Sequence, residues 1–174
     1  MVNADETLAS LGLSRVDTAT LGRLEMDITA SRGTLSIRPF DAVDRDALER
    51  LWAQVFPDDP PRNAPAIMID NKLKVQPELL LVGKVGDAVV GAVMAGFDGV
   101  RGWIYHLAVA PSWRRRGVAT QLVRAAEAGL RRLGCPKANL QVRATNASVV
   151  AFYQSLGYEI EERLSMGRAL DLGD

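Results

Sequence analysis

Apolar residues recur along this chain with two different periods, and the switches between them mark its elements. From Leu35 the run "LSIRPF" alternates apolar and polar side chains, as a half-buried strand does. In "DRDALERLWAQVF" the spacing changes. Leu48, Leu51, Trp52 and Val55 fall on one face at helical intervals, with Asp44 at the opening. The prolines of "FPDDPPRNAP", residues 56–65, lack the N–H that a helix or ladder requires, so a loop is expected there. A shorter helix over "AIMIDNKLKV" follows. "ELLLVGKV" and "AVVGAVMAGF" read as two strands joined by Gly86-Asp87, a hairpin by its turn residues. A turn at "FDGVRG" then leads to a further strand, "WIYHLAVA".

The second half alternates its periods. A helix is expected over 117–133, a strand over "KANLQVR", a helix over 146–156, and terminal strands over "YEIEER" and "LSMGRAL". Gly134 and Gly157 sit just past the two helices, where a left-handed cap is wanted. Antiparallel hairpins followed by a strand-helix-strand crossover imply an α/β (α+β) fold. Its sheet would be mixed and twisted, with six or seven strands and about four flanking helices. Residues 1–34 stand apart, with Leu8, Leu11, Leu21 and Leu24 scattered among Asp, Thr, Ser and Gly. They read as an N-terminal extension to a domain over 35–174. The extension is either loosely structured, or covers the domain, or contacts a second copy in a homodimer.

Composition narrows the chemistry. At 174 residues the length suits one domain with a substantial core. Lys+Arg and Asp+Glu balance at 21 each, so no overall field draws the chain toward nucleic acid or a membrane. One cysteine, Cys135, excludes an internal disulfide, and a single histidine, His106, argues against a protein-only metal site. The N-terminus lacks the basic and apolar regions of a signal peptide, and no apolar run is long enough for a bilayer. A cytoplasmic location is expected.

One segment concentrates candidate chemistry. In "HLAVAPSWRRRGVATQL" an apolar strand runs through Pro111 and three arginines into a helix opened by Gly117. A helix N-terminus offers backbone N–H groups without intrahelical partners and a partial positive charge. Gly117 and Ala119 let a bulky anion approach the backbone, and Arg114, Arg115 and Arg116 add charge suited to phosphate oxygens. The layout suits a diphosphate. It lacks the lysine-bearing G-x-x-x-x-G-K-[ST] loop and the three glycines of a dinucleotide fingerprint. The plain alternative is a solvated basic turn that begins a surface helix.

Those residues carry a resemblance. "LAVAPSWRRRGVATQL" resembles the acetyl-CoA-binding motif of the GNAT family of N-acetyltransferases, R/Q-x-x-G-x-G/A, met by Arg114, Gly117 and Ala119 after an L-x-V-x-P strand at Leu107, Val109 and Pro111. "NASVVAFYQSLGYE" is similar to the family's second landmark, and "VMAGFDGVRG" and "RRLGCPKANLQV" resemble its small bacterial YpeA-type members. The likeness spans 35–170.

The resemblance implies transfer of the acetyl group of acetyl-CoA, as co-substrate and without a metal, to a small-molecule or peptide amine. The amine would attack directly through a tetrahedral intermediate, with no covalent enzyme intermediate. Pantetheine would lie in a cleft beside the strand 104–109 and pair with the backbone of Leu107 and Val109. Leu107 or Ala108 would supply the N–H for the oxyanion. The pyrophosphate would rest on N–H groups of Arg114, Arg115, Arg116, Gly117, Val118, Ala119 and Thr120. Asn146 would reach the pantetheine arm, although its position also suits a helix N-cap. Tyr153 would protonate the departing thiolate, although with Val149 and Leu156 it also fits a core face.

The base is less defined. Gln141 stands where some relatives have Glu, and an amide cannot take a full proton, so an ordered water or another residue is required. Strand alternation places His106 on the face opposite Trp103 and Tyr105, which favours a core imidazole. Cys135 is expected to be a small buried residue at a helix-strand junction. Substrate choice would fall to residues 56–75 and the hairpin end near Asp98. There Asp58, Asp59 and Asp70 could attract a cationic amine while Arg62, Lys72 and Lys74 offset them. Two other readings remain open: a module that senses acyl-CoA without turnover, and a protein that uses the arginine loop on nucleotide or nucleic-acid phosphates alone.

Overall fold

The computed structural model describes residues 33–170, so nearly all of the 1–34 extension lies outside the described residues. The chain divides into two compact units, with the boundary after Asn139.

The first unit is built on one sheet in the order β1-β2-β3-β4-β5, whose strands are Leu35–Pro39, Leu80–Val85, Ala88–Phe97, Gly102–Val109 and Ala138–Asn139. β1 to β4 form an antiparallel meander, and only β5 pairs in parallel, with β4. The hairpin turn at Gly86-Asp87 is as expected, with Gly86 at a φ of +56°. β2 is covered on both faces, which is why "LLVGKV" reads as an almost continuous apolar run.

Helices α1 (Arg45–Val55) and α2 (Pro65–Leu73) bury Leu48, Leu51, Trp52 and Ile69 against Leu80, Val82, Ala92 and Ala108. Helix α3 (Val118–Arg132) packs on the opposite face. Its approach is close at Gly91, where a Cβ would stand 2.9 Å from both Leu122 and Val118 side chains. At Gly102 a Cβ would meet the Cys135 sulfur at 2.8 Å. Cys135 is buried and donates its S–H to the Lys137 carbonyl, a packing residue as the sequence suggested.

The sheet has five strands among the described residues, fewer than the six or seven expected. The expected strand over 137–143 is reduced to Ala138–Asn139, and 158–170 carry no ladder. The terminal runs are poor strands: Ile160 is flanked by Glu159, Glu161 and Glu162. Arg163 also spends its backbone N–H on the Glu161 carbonyl two residues earlier, at 2.9 Å. The second unit is organised by helix α4, Ala147–Ser155, which ends at Gly157 in the left-handed conformation. Tyr158 N–H closes back on the Tyr153 carbonyl at 3.1 Å, completing the expected cap. Among the described residues no helix is long and apolar enough to cross a membrane.

The entry to α1 is fixed by a buried carboxylate. Asp44 is 1% exposed, accepts both guanidinium N–H groups of Arg38 at 2.7 and 2.9 Å, and lies 3.3 Å from Lys84 Nζ. Burial alone would push its carboxyl up, but the Arg38 hydrogen bonds, the Asp41 N–H and Lys84 outweigh it and hold the group below the usual range. Asp44→Ala strands two cations at a buried site and is expected to cost about 3 kcal/mol in urea unfolding at neutral pH. A group with a lowered native pKa stabilises only while ionised. The difference between wild type and variant should therefore shrink as pH falls below about 4.

Candidate functional site

The approach to α3 is set by backbone geometry. Pro111 opens a single turn of 3-10 helix, Pro111–Trp113, and the chain then passes through two left-handed residues, Arg115 (φ +61°) and Gly117 (φ +78°). Gln121 makes the first helical bond, to the Gly117 carbonyl at 3.1 Å. The N–H groups of Val118, Ala119 and Thr120 therefore have no acceptor within the helix, and no side chain caps Gly117. A Cβ at Gly117 would meet nothing within 4 Å, so this turn is open to a bulky group. The N–H of Arg114, one of the expected pyrophosphate donors, is instead spent on the Pro111 carbonyl at 3.3 Å.

The three arginines diverge in role. Arg114 Nε donates to the Val109 carbonyl at 3.3 Å and ties the turn to β4, while the Arg116 guanidinium lies 5.0 Å over the Trp113 ring. All three are exposed, and among the described residues none pairs with a carboxylate. The residues at the turn thus fit an anionic carrier: unsatisfied donors, uncompensated cations and a glycine with clear space beside it.

β4 presents a free edge next to this turn. It pairs with β5 only at Gly102 and Trp103, and among the described residues no strand continues that ladder along Ile104 to Val109. Ala110 N–H bonds the Val90 carbonyl at 2.9 Å. By the alternation of an antiparallel ladder, Ala108 then directs its N–H toward Ala92, and Val109 faces the open edge. This leaves Leu107 better placed than Ala108 to offer an N–H outward.

The ladder between β3 and β4 slips by one residue. Ala92 pairs with Ala108 and Met94 with Tyr105, so Val93 faces both His106 and Leu107. His106 takes a φ of +45°. The bulge breaks the alternation that would place His106 opposite Tyr105. Its ring sits edge-on to Trp52 and Phe56 at 5.5 and 4.8 Å, on the face that α1 covers. Its Nε2 lies 2.8 Å from Asp59 Oδ2. A cavity of about 240 Å³ opens there, lined by Trp52, Phe56, Asp59, Asn63, Pro65 and His106 among others. Sequence reasoning missed this group, because a bulge at a residue other than glycine leaves no compositional trace. Of the other acidic residues expected to attract an amine, Asp70 is paired with Arg45 at 2.7 Å.

In the second unit, Asn146 is the α4 N-cap, its Oδ1 accepting from Val149 N–H at 3.3 Å and from the Ser148 hydroxyl at 3.1 Å. Gln141 Nε2 donates to the Ser165 hydroxyl at 2.7 Å. Tyr153 is 7% exposed, with Phe152 and Tyr158 rings at 5.0 and 5.4 Å. Burial pushes its phenol up to about 12. No described residue hydrogen-bonds its hydroxyl, and among the described residues no cluster of His, Cys, Asp or Glu could hold a metal ion.

A sequence model of the acetyltransferase (GNAT) family matches residues 45–158. The chain belongs to that family. It is 40% identical over 138 residues to Acetyltransferase YE1169 of Yersinia enterocolitica, covering 78% of this chain and 96% of that protein. Acetyltransferase ECA0875 of Pectobacterium atrosepticum is 39% identical with the same coverage of each chain. Among solved structures, Ard1 from Thermoplasma volcanium superposes with a TM-score of 0.65 at 26% identity, covering 73% of this chain and 84% of that one. The enzyme AAC(6')-Iy, solved with a bisubstrate analogue of coenzyme A, shares the fold at a TM-score of 0.68 and 22% identity, covering 80% of this chain and all of its own. As a family member the chain is an acetyl-CoA-dependent acyltransferase.

Gly117→Val places a β-branched side chain at a left-handed position and in the clear space of the turn, at a strain of roughly 1–3 kcal/mol. Calorimetry should show acetyl-CoA affinity falling by about tenfold or more. A Gly117→Val protein with wild-type affinity would place the carrier elsewhere.

Proposed function

We propose that this enzyme transfers the acetyl group of acetyl-CoA to a primary amine by direct attack, with residues 35–174 as the catalytic domain and 1–34 as its extension. The observation that supports the reading most is the open turn at Arg115–Gly117, tied by Arg114 to the unpaired edge of β4. A diphosphate on the N–H groups of residues 115–120 is balanced by the exposed arginines and the helix end. The arm of the carrier then follows the β4 edge, bonding Val109 and Leu107 through their backbone. Leu107 N–H, with Ala108 beside it, faces the thioester oxygen. The amide nitrogen of Asn146 has no hydrogen-bond partner among the described residues once its oxygen caps α4.

The chemistry needs orientation more than covalent help. The neutral amine nitrogen attacks the thioester carbonyl, and the new C–N bond places negative charge on the carbonyl oxygen, where a backbone N–H stabilises it. As the C–S bond breaks, its electron pair leaves with sulfur, which gains a proton while the nitrogen loses one. Tyr153 is the acid in this reading. A phenol that stays protonated to about pH 12 is a donor throughout the working range, and its hydroxyl is not committed to any described neighbour.

Thiol release from acetyl-CoA across a panel of amines tests the reading. Turnover with at least one primary amine is expected, and coenzyme binding without turnover on any would favour a sensor. Tyr153→Phe should lower kcat by about 10- to 100-fold while acetyl-CoA affinity changes by less than about twofold. A wild-type kcat in that variant would remove the acid role.

A further inference from the structure

His106 and Asp59 form a pair that the acyl-donor site does not use. The pair lies at the wall of the cavity beneath α1, and three features of it bear on chemistry. First, a carboxylate only accepts, so the 2.8 Å contact puts the imidazole proton on Nε2 and leaves the lone pair on Nδ1. No described residue hydrogen-bonds Nδ1. Secondly, the His106 backbone is held at a φ of +45°, a conformation costly for a residue with a side chain. The bulge that imposes it turns the ring off the regular alternation and into the cavity. Strain kept at a cavity wall points to a role beyond packing. Thirdly, the base-bearing residue is the chain neighbour of Leu107, which offers its N–H at the open edge.

The cavity suits an amine. Its walls are the rings of Trp52 and Phe56 and the prolines of the 57–65 loop, and its charged lining group besides His106 is Asp59. Aromatic faces and one carboxylate attract an alkylammonium better than a neutral or anionic molecule. Prolines at 57, 60, 61 and 65 stiffen the loop that carries Asp59.

We infer that this cavity seats the acceptor, a primary amine on an apolar or aromatic-compatible stem, and that His106 is the catalytic base, with Asp59 as its positioning residue. The inference rests on the proposed acetyl transfer. One proton passes from the ammonium group to Nδ1, and Asp59 stabilises the imidazolium through the proton on Nε2. The neutral nitrogen then attacks the thioester, and the second proton it sheds passes through solvent to replace the one that Tyr153 gives to sulfur. The imidazolium returns its proton to solvent after the product amide leaves. Gln141, bonded to Ser165, is not required as a base.

The test uses the full chain as wild type, His106→Gln and Asp59→Asn, each checked for folding by thermal melting and for acetyl-CoA affinity by calorimetry. With an amine that wild type acetylates, His106→Gln should keep coenzyme affinity and lose roughly 100-fold in kcat/KM. It should also lose the acid-side fall of the pH–rate profile. Among the residues lining the cavity, Asp59 is the one other titratable group, so Asp59→Asn should displace that fall and cost about tenfold. If His106→Gln does not fold, the shift in Asp59→Asn decides alone. Unchanged rates and an unchanged acid limb in the folded variants would overturn the base while leaving acetyl transfer intact. Absence of turnover by wild type on every amine would overturn both.

Discussion

One extra residue in β4 governs the half of the sheet that carries the proposed site. Where Val93 faces both His106 and Leu107, the ladder slips, the backbone enters the left-handed region, and a side chain due for one face is delivered to the other. On the far edge the same strand parts from β5 after Trp103. Among the described residues β4 thus has one edge bound to β3 and, beyond Trp103, one edge free, with a distortion between its two ends. A regular strand fully paired on both sides would offer no backbone donor to a ligand and no route for His106 to reach Asp59.

The rest of the first unit holds that strand in place. Gly91 and Gly102 let α3 and the Cys135 turn approach the sheet within van der Waals distance, so β4 is backed by packed side chains on the α3 face. α1 and α2 cover the other face through Trp52, Leu48 and Ile69, and Trp52 also borders the cavity. The Asp44 ion cluster joins the α1 entry to β1 and β2. Charge is therefore used in two ways within a chain of balanced composition. It is paired and buried where it fixes elements, and at Arg114–Arg116, where the proposed phosphate-bearing carrier would meet it, it is exposed and has no carboxylate partner among the described residues.

Much of this was legible from residue patterning. The four helices fall within one or two residues of their helical periodicity, and the Gly86-Asp87 turn and the caps at Gly134 and Gly157 follow from the left-handed conformation those positions need. Gly117 was legible for its small size at a helix opening, and its left-handed φ of +78° is an addition from the structure. The failures have physical causes too. Alternation predicts faces only while the ladder keeps its register, and nothing in "WIYHLAVA" announces the slip at His106. The charged run after Gly157 was read as strand from its alternation, yet a ladder needs a partner, and Arg163 bonds locally instead. The Asp59 contact joins residues 47 apart in sequence, a distance over which spacing carries no signal. Asn146 and Tyr153 matched a motif, and α4 does begin at the one and bury the other.

The central claim is that the turn into α3, with the free edge of β4, receives the acyl carrier through backbone N–H groups. Residue-resolved amide hydrogen exchange, with and without saturating acetyl-CoA, measures those groups directly. The account predicts slowed exchange at Gly117 to Thr120 and at Val109, with little change along β1 and β2. Unaltered exchange at those amides in a protein that binds acetyl-CoA, with protection arising elsewhere, would contradict it.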